Sequence, residues 1–507
     1  VGTVPCPGCQ HENPSAARFC NACGGALDVA TAPRRGAEAR RSTARAGRIP
    51  SRAGVVGLCL TLLACPGLGS QRPDIVLITV DTLRADHLSM YEGSLTETPQ
   101  LEALAREGAV FDAAHCDVTV TTPSMASTLT GTYGYRHRLR HMLNTLPDSA
   151  VTVAEALEAA GYSTAAVVAS PPLSARFGLD QGFETYSDPH SDPSSPGWSV
   201  RSDTQVTQRA RRILASLVKE GGPFFLWVHY FGPHARFDPD RDYLHNVVRH
   251  IQTYSDKVAR TDRAVGKLLE ALASHGRVDE TLVIMHADHG ESLGEHEYVG
   301  HGREVYEQML RVPLILRWPA RVPTGVRIAS LVGNIDIAAT ILDAAGIDGG
   351  TVRSMDGRSL LPLIDGTAAP RESLYFETYQ PSLPGFGDEL PGADGSVERV
   401  PVRRMGVLRP PWKYIVTERF AFDENPGTIV RKASPDRTVR RELYDVTRDP
   451  GELRPVEAPP GEPDAADAMQ RLLARHVEAA ERLDAGTPQE DMPPPLREML
   501  ERLGYVN

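Results

Sequence analysis

The chain has 507 residues, 41% apolar and 23% charged, a composition of ordinary globular protein. That length is enough for two or three domains. Of its 54 Lys and Arg and 65 Asp and Glu, residues 1–52 hold eight Arg and three acids, leaving 46 against 62 in the remainder, so the main body is a poor nucleic-acid binder and no nucleic-acid partner is expected.

The N-terminal stretch, residues 1–27, carries four cysteines, Cys6, Cys9, Cys20 and Cys23, spaced C-x2-C-x10-C-x2-C. Two CxxC knuckles at that distance present four thiolates to one tetrahedral zinc. The stretch resembles zinc-ribbon modules. A segment this short has little core, so the metal would supply its folding energy. A site closed by four thiolates has no open position, which points to structure or docking of a protein partner. The other three cysteines, Cys59, Cys65 and Cys116, are scattered and suggest no disulfide framework.

Residues 28–52 are Arg-, Pro-, Gly- and Ala-rich without apolar periodicity and read as a flexible linker. Residues 53–70, "AGVVGLCLTLLACPGLGS", are apolar and uncharged, but short for a span of about 20 residues. Seven Arg between 34 and 52 precede them, which would hold that side in the cytoplasm. The expectation is a membrane anchor with a cytoplasmic ribbon and an extracytoplasmic catalytic domain. Two alternatives stand beside it: a signal or lipoprotein segment, with "LLAC" placing Cys65 for lipidation, and a buried helix.

From residue 73 the pattern is α/β. "PDIVLITVD", "STAAVVA" (163–169), "PFFLWVH" (223–229) and "TLVIMHA" (281–287) are continuous apolar runs, as in strands buried on both faces of a parallel sheet. Helical patterns alternate with them. "TPQLEALAREG" has Thr98 as cap and Pro99 at its first position, and "VARTDRAVGKLLEALASHG" is amphipathic. The reading is a doubly wound, mostly parallel sheet sandwiched by helices. Ligands bind such sheets beyond the carboxyl ends of the strands. Those ends carry Asp81, then His229 with His234 close behind, then Asp288 and His289. Two Asp and one His make a hard, oxygen-rich site for one divalent cation, with Ca, Mg, Mn and Zn all open.

"TVTTPSMASTLTG" (119–131) has no charged residue. Pro123 reads as a first helical residue, Thr121 or Thr122 as the cap, and Gly131 as the helix end. A hydroxyl at that N-terminus is favourably placed for developing negative charge.

"PDIVLITVDTLRADHLSMY", "TPQLEALAREGAVFDAAHCDVTVTTPSMASTLTG", "PFFLWVHYFGPH", "ADHGESLGEHEYVGHGREVYEQMLRVPLILRWP" and "LYDVTRDPGEL" together resemble the sulfatase family of the alkaline-phosphatase superfamily, from about residue 73 to the C-terminal end. The resemblance implies Asp81, Asp288 and His289 as metal ligands, with Thr121 as nucleophile and further ligand. It also implies His137 near the nucleophile, His229 and His301 beside the substrate anion, and His234 in a Pro-His element. The sequence departs from the family at several points. Thr121 stands where formylglycine-forming Cys or Ser is expected, Met125 where Arg is, Thr82 where a second acid is, and Gly232 where many relatives have Asp. The Lys and His of a "GKWHLG"-like element are not found at 167–171.

The chemistry follows from these departures. Formylglycine hydrate has two geminal hydroxyls, one to attack and one to collapse the ester by C–O cleavage. Threonine has only one, so water must break its ester at the central atom, which suits phosphoryl transfer. The expectation is a metal-dependent hydrolase or transferase of anionic esters, favouring phosphate esters or phosphodiesters. The alternatives are a sulfuric ester hydrolase without formylglycine and a non-catalytic anion-binding scaffold. Domain limits are read as 73–369 for the catalytic part and 370–507 for a small C-terminal α+β subdomain. In the latter, "WKYIVT" and "ELYDVT" form a sheet before a terminal helix, "PSLPGFGDELPGADGSVER" is a loop and "EAPPGEPDAADA" a linker.

Overall fold

A computed structural model describes residues 3–5, 12–14 and 72–483, the last apart from 143, 191–198, 236–240, 348–353, 381–387, 392–396, 401, 420–437 and 457–463. Its centre is an eight-stranded sheet. In chain order its strands are β1 (Asp74–Val80), β2 (Ala109–His115), β3 (Ser163–Val167), β4 (Thr185–Ser187), β5 (Phe224–Tyr230), β6 (Thr281–Ala287), β7 (Leu314–Arg317) and β8 (Val326–Gly333). Their spatial order is β8-β2-β7-β6-β1-β5-β3-β4. Every neighbouring pair is parallel except the two made by β7, which runs antiparallel to both β2 and β6.

The four apolar runs become β1, β3, β5 and β6, and every residue in them is buried. That is why they show no alternation: helices cover both faces of the sheet. Each buried Ile, Leu, Val or Phe contributes roughly 1.5–3 kcal/mol. β1 lies between β5 and β6, with Val80 opposite both Tyr230 and Ala287. The three strands therefore end side by side, which brings Asp81 and Asp288, just beyond their ends, together with His229, next to last in β5 at that edge.

The helices that matter to the site are α1 (Pro99–Arg106), α2 (Thr121–Thr130), α3 (Asp203–Glu220), α4 (Tyr243–Ser274), α5 (Asp336–Ala344) and α6 (Ala465–Leu483). All ten residues of α2 are buried. A helix enclosed on every side has no polar face to present, so it carries no charge. Gly131 ends it at φ 65°, as expected. The start differs: Val120 is the N-cap residue, Thr121 and Thr122 are the first two helical residues, and Pro123 is the third. α1 differs also. Thr98 makes no side-chain cap, because its Oγ1 accepts from Ser89 N–H at 2.9 Å. Asp262, on α4, takes over from a distance: its Oδ1 accepts from Leu101 N–H at 2.8 Å.

The C-terminal part forms an antiparallel sheet of β9 (Leu374–Gln380), β10 (Val402–Arg409), β11 (Trp412–Arg419) and β12 (Thr438–Asp445), in that order. α6 starts at Ala465, so the last residues of the expected linker are helical. Within the expected loop, Asp388–Pro391 pairs with Val397–Val400. The sheet is joined to the larger part by the buried pair Arg140–Glu377, 2.6 Å apart, and by the edge-on packing of Tyr133 against Tyr375.

At the other end, Thr3–Pro5 pairs antiparallel with Glu12–Pro14. Cys6, Cys9, Cys20 and Cys23 lie outside the described residues, as do the linker and residues 53–70. The expectation of a membrane-anchored protein is corrected here: no helix among the described residues is long and apolar enough to cross a membrane.

Candidate active site

Asp81, Asp288 and His289 each offer a ligand atom, and these atoms all lie within 4.8 Å of one another. All three residues are fully buried. Asp81 and Asp288 are the first residues beyond β1 and β6, and His289 follows. Asp288 Oδ1 is oriented by two backbone donors, Thr82 N–H at 3.1 Å and His289 N–H at 2.8 Å. Its Oδ2 makes no hydrogen bond and lies 3.4 Å from His289 Nε2. His289 Nδ1 is 2.9 Å from the Gly290 carbonyl. A carbonyl only accepts, so in the neutral ring Nδ1 carries the proton and Nε2 turns a lone pair inward. Burial, and then the neighbouring Asp81, push the Asp288 carboxyl up. Two buried carboxylates and an imidazole lone pair are an unfavourable set by themselves and a good one for a divalent cation. The donor chemistry therefore fits the metal.

Thr82, where a second acid was expected, sits at φ 55°. This is a costly backbone conformation for a β-branched residue. It turns the N–H toward Asp288 and leaves the buried hydroxyl without a hydrogen bond.

Thr121 Oγ1 lies 3.3 Å from Asp81 Oδ2 and 3.3 Å from His289 Nε2. Thr122 points elsewhere, its hydroxyl donating to the Pro172 carbonyl at 2.8 Å. Ser124 ties the helix to the site by donating to the Asp288 carbonyl at 2.6 Å. His229 Nε2 lies 3.5 Å from Asp81 Oδ2, and its Nδ1 faces Thr79 Oγ1 at 2.7 Å. Burial pushes His229 down to about 4, so it is neutral near pH 7.

His301 and His234 extend the same wall. The His301 ring lies 4.5 Å from that of His289 and 5.0 Å from that of His234. His234 faces the Ala235 carbonyl through Nδ1, and burial holds it well below the usual histidine range.

His137 is placed apart. It faces Ser127 Oγ at 2.9 Å through Nε2 and accepts from Leu139 N–H at 3.1 Å through Nδ1. Ser127 is six residues along α2 from Thr121, about 9 Å along the axis. Burial pushes His137 down to about 3. Ser127 in turn donates to Asp117 Oδ2 at 2.7 Å, and burial raises Asp117 to about 7.

Two departures from the family pattern have a packing explanation. Met125 is fully buried in the core. Gly232 leaves no room for a side chain, because a Cβ there would overlap Thr261 Oγ1 and Asp203 Oδ2.

Sequence reasoning missed Glu291. It is fully buried, with Oε1 3.1 Å from His301 Nδ1 and Oε2 3.3 Å from His250 Nε2. Burial opposes its ionisation, but the two histidines outweigh it and hold the carboxyl well below the usual range. Its place in "DHGE" was the available signal; His250, from the first third of α4, had none.

A mostly parallel α/β sheet with an Asp-Asp-His cluster beyond its central strands defines an alkaline-phosphatase-type protein. The sulfatase family model matches residues 73–347, and the chain belongs to the sulfatase family. It is 27% identical to human arylsulfatase A over 452 residues, 78% of this chain and 85% of that protein. It is 26% identical to the multifunctional alkaline phosphatase superfamily protein PehA of Trinickia caryophylli, over 60% of this chain and 80% of that one. The phosphonate monoester hydrolase of Agrobacterium radiobacter superposes with a TM-score of 0.60 at 19% identity, covering 83% of this chain and all of that one. At that identity the likeness speaks for the fold.

Proposed function

We propose that this chain is a metal-dependent hydrolase of anionic esters in which Thr121 is the nucleophile and phosphate esters or phosphodiesters are the favoured substrates. The observation that carries this reading is the position of Thr121 Oγ1, buried at a helix N-terminus and 3.3 Å from both Asp81 Oδ2 and His289 Nε2. Asp81, Asp288 and His289, with Thr121 beside them, would hold the cation. When bound, the cation would act as a Lewis acid that offsets the negative charge of nucleophile and ester.

The chain's own groups do the rest. Asp81 Oδ2 accepts the Thr121 hydroxyl hydrogen bond and orients the oxygen. The helix N-terminus favours the alkoxide. Thr121 Oγ bonds to phosphorus as the bond to the leaving alcohol breaks, and the proton that Thr121 gives up passes to that alcohol oxygen. Water then bonds to phosphorus, Thr121 Oγ leaves and takes one of the water's protons, and phosphate (from a diester, a phosphate monoester) departs. His229 and His301 flank the anion, and His229 is neutral at pH 7 because it is buried. Glu291 holds His301 in place. His137, hydrogen-bonded to Ser127, acts through α2.

PehA, named as a multifunctional member of the superfamily, is consistent with phosphate chemistry on this fold. The likeness to arylsulfatase A favours a second reading, a sulfuric ester hydrolase using Thr121 directly. Turnover of p-nitrophenyl phosphate, bis-p-nitrophenyl phosphate and p-nitrophenyl sulfate, with chelator and added cations, separates the two. Faster hydrolysis of the sulfate than of either phosphate would overturn the first reading. No turnover of any of them would leave a non-catalytic anion binder.

A further inference from the structure

A cavity of about 690 Å³ opens between the first half of α3 and one face of α4. Six cationic side chains line it: Arg211 from α3, and Arg249, Lys257, Arg260, Arg263 and Lys267 from α4. The five on α4 recur at three, four or eight residues, so they share one face, and Arg249 to Lys267 covers about 27 Å of helix. Asp203 is the carboxylate among the described lining residues, and its Oδ2 already accepts from Thr261 Oγ1 at 2.6 Å. Arg211, Arg249, Arg260 and Lys267 are exposed, and none is in an ion pair with an acid among the described residues. Exposed Asp256 shares that face, four residues before Arg260, and offsets part of the charge; the remaining surplus of cations, on a chain of net charge −11, is a local feature that folding has concentrated.

The groove meets the candidate active site at one end. His234 and His250 line it. Lys257 Nζ donates to the His234 carbonyl at 3.2 Å and to His250 Nδ1 at 3.1 Å. On their other side His250 faces Glu291 and His234 faces His301. Thr207, Gln208 and Asn246 add hydroxyl and amide groups along the walls. No Phe, Tyr or Trp is among the described lining residues, so bases would find no stacking platform.

We propose that the groove between α3 and α4 is a second anion-binding site, which takes a linear polyanion carrying sulfate or phosphate groups and leads it toward the catalytic centre. Its direction rests on the functional reading above; the binding itself does not. The test uses the full chain and the variant Arg249→Gln/Arg260→Gln/Lys267→Gln, three exposed changes outside the catalytic cluster. Fluorescence anisotropy would follow labelled dextran sulfate, labelled linear polyphosphate and labelled oligo-dT, each across a salt series.

The expected result is binding of dextran sulfate or polyphosphate by the wild type, weakened about ten-fold or more in the variant with a shallower salt dependence. Hydrolysis of small p-nitrophenyl esters should be unchanged. Preference for one of the two polymers identifies the source of the anionic groups. Equal affinity in wild type and variant, no binding of either polymer, or oligo-dT binding as tightly as both, overturns the proposal. Loss of polymer binding in the variant when neither protein hydrolyses any ester would leave the groove standing and the catalytic reading refuted.

Discussion

Asp288→Asn is expected to stabilise the metal-free protein and to abolish its stabilisation by added cation. The ligand atoms of Asp81 and Asp288 lie within 4.8 Å and both residues are fully buried. At that separation two full charges repel by roughly 3–4 kcal/mol at an effective dielectric of about 20. The Asp288 carboxyl is pushed up by burial and by Asp81, so part of that charge is already suppressed. A net gain of about 1–2 kcal/mol is the expectation, or a few degrees in melting temperature. The asparagine oxygen can still accept from Thr82 N–H and His289 N–H, and its amide can donate toward Asp81. The assay is thermal denaturation in chelator and again with manganese chloride. At about a hundred times its dissociation constant, the cation should stabilise the wild type by about 2.7 kcal/mol. The variant should melt higher in chelator and respond little to metal. A variant that melts lower in chelator and still gains the wild-type increment from manganese would refute the idea that these carboxylates form one cation site.

Thr121→Val should fold and bind cation but lose a factor of about 100 or more in kcat, whereas Thr122→Val should keep its kcat and lose about 1 kcal/mol of stability with the bond to Pro172; the opposite pattern would mean that the wrong hydroxyl has been assigned. Asp117 titrates at about 7 in the folded chain because it is buried. A raised folded value means a stabilising contribution that is complete below about pH 4 and lost as pH rises through 7. Asp117→Asn should therefore flatten the fall in urea midpoint between about pH 4 and pH 7, and an unaltered slope would count against it. Gly232→Ala should cost about 1–3 kcal/mol through overlap with Thr261 and Asp203, measured by denaturant unfolding; a neutral result would show that α3 and α4 yield more easily than their packing implies.

The sequence by itself determined the parallel core and the grouping of Asp81, Asp288 and His289, because both are local properties read along one strand. A run such as Asp74–Val80 has no polar alternation when helices cover both faces, and the residue after it must emerge at the carboxyl edge. The same logic found Asp288 and His289 after β6. The motif register singled out Thr121, and packing turns its hydroxyl to the cluster and that of Thr122 to Pro172. Tertiary structure alone decided what depends on distant partners. β7 runs antiparallel between β2 and β6 with nothing in its four residues to announce it. Asp262 caps α1 from α4 in place of Thr98. Glu291 finds His250 only when α4 crosses the site. His137 meets Ser127, and the cations of α3 and α4 converge on one groove, for the same reason: side-chain pairing across elements follows from how helices and sheet pack, and chain order does not encode which faces will meet.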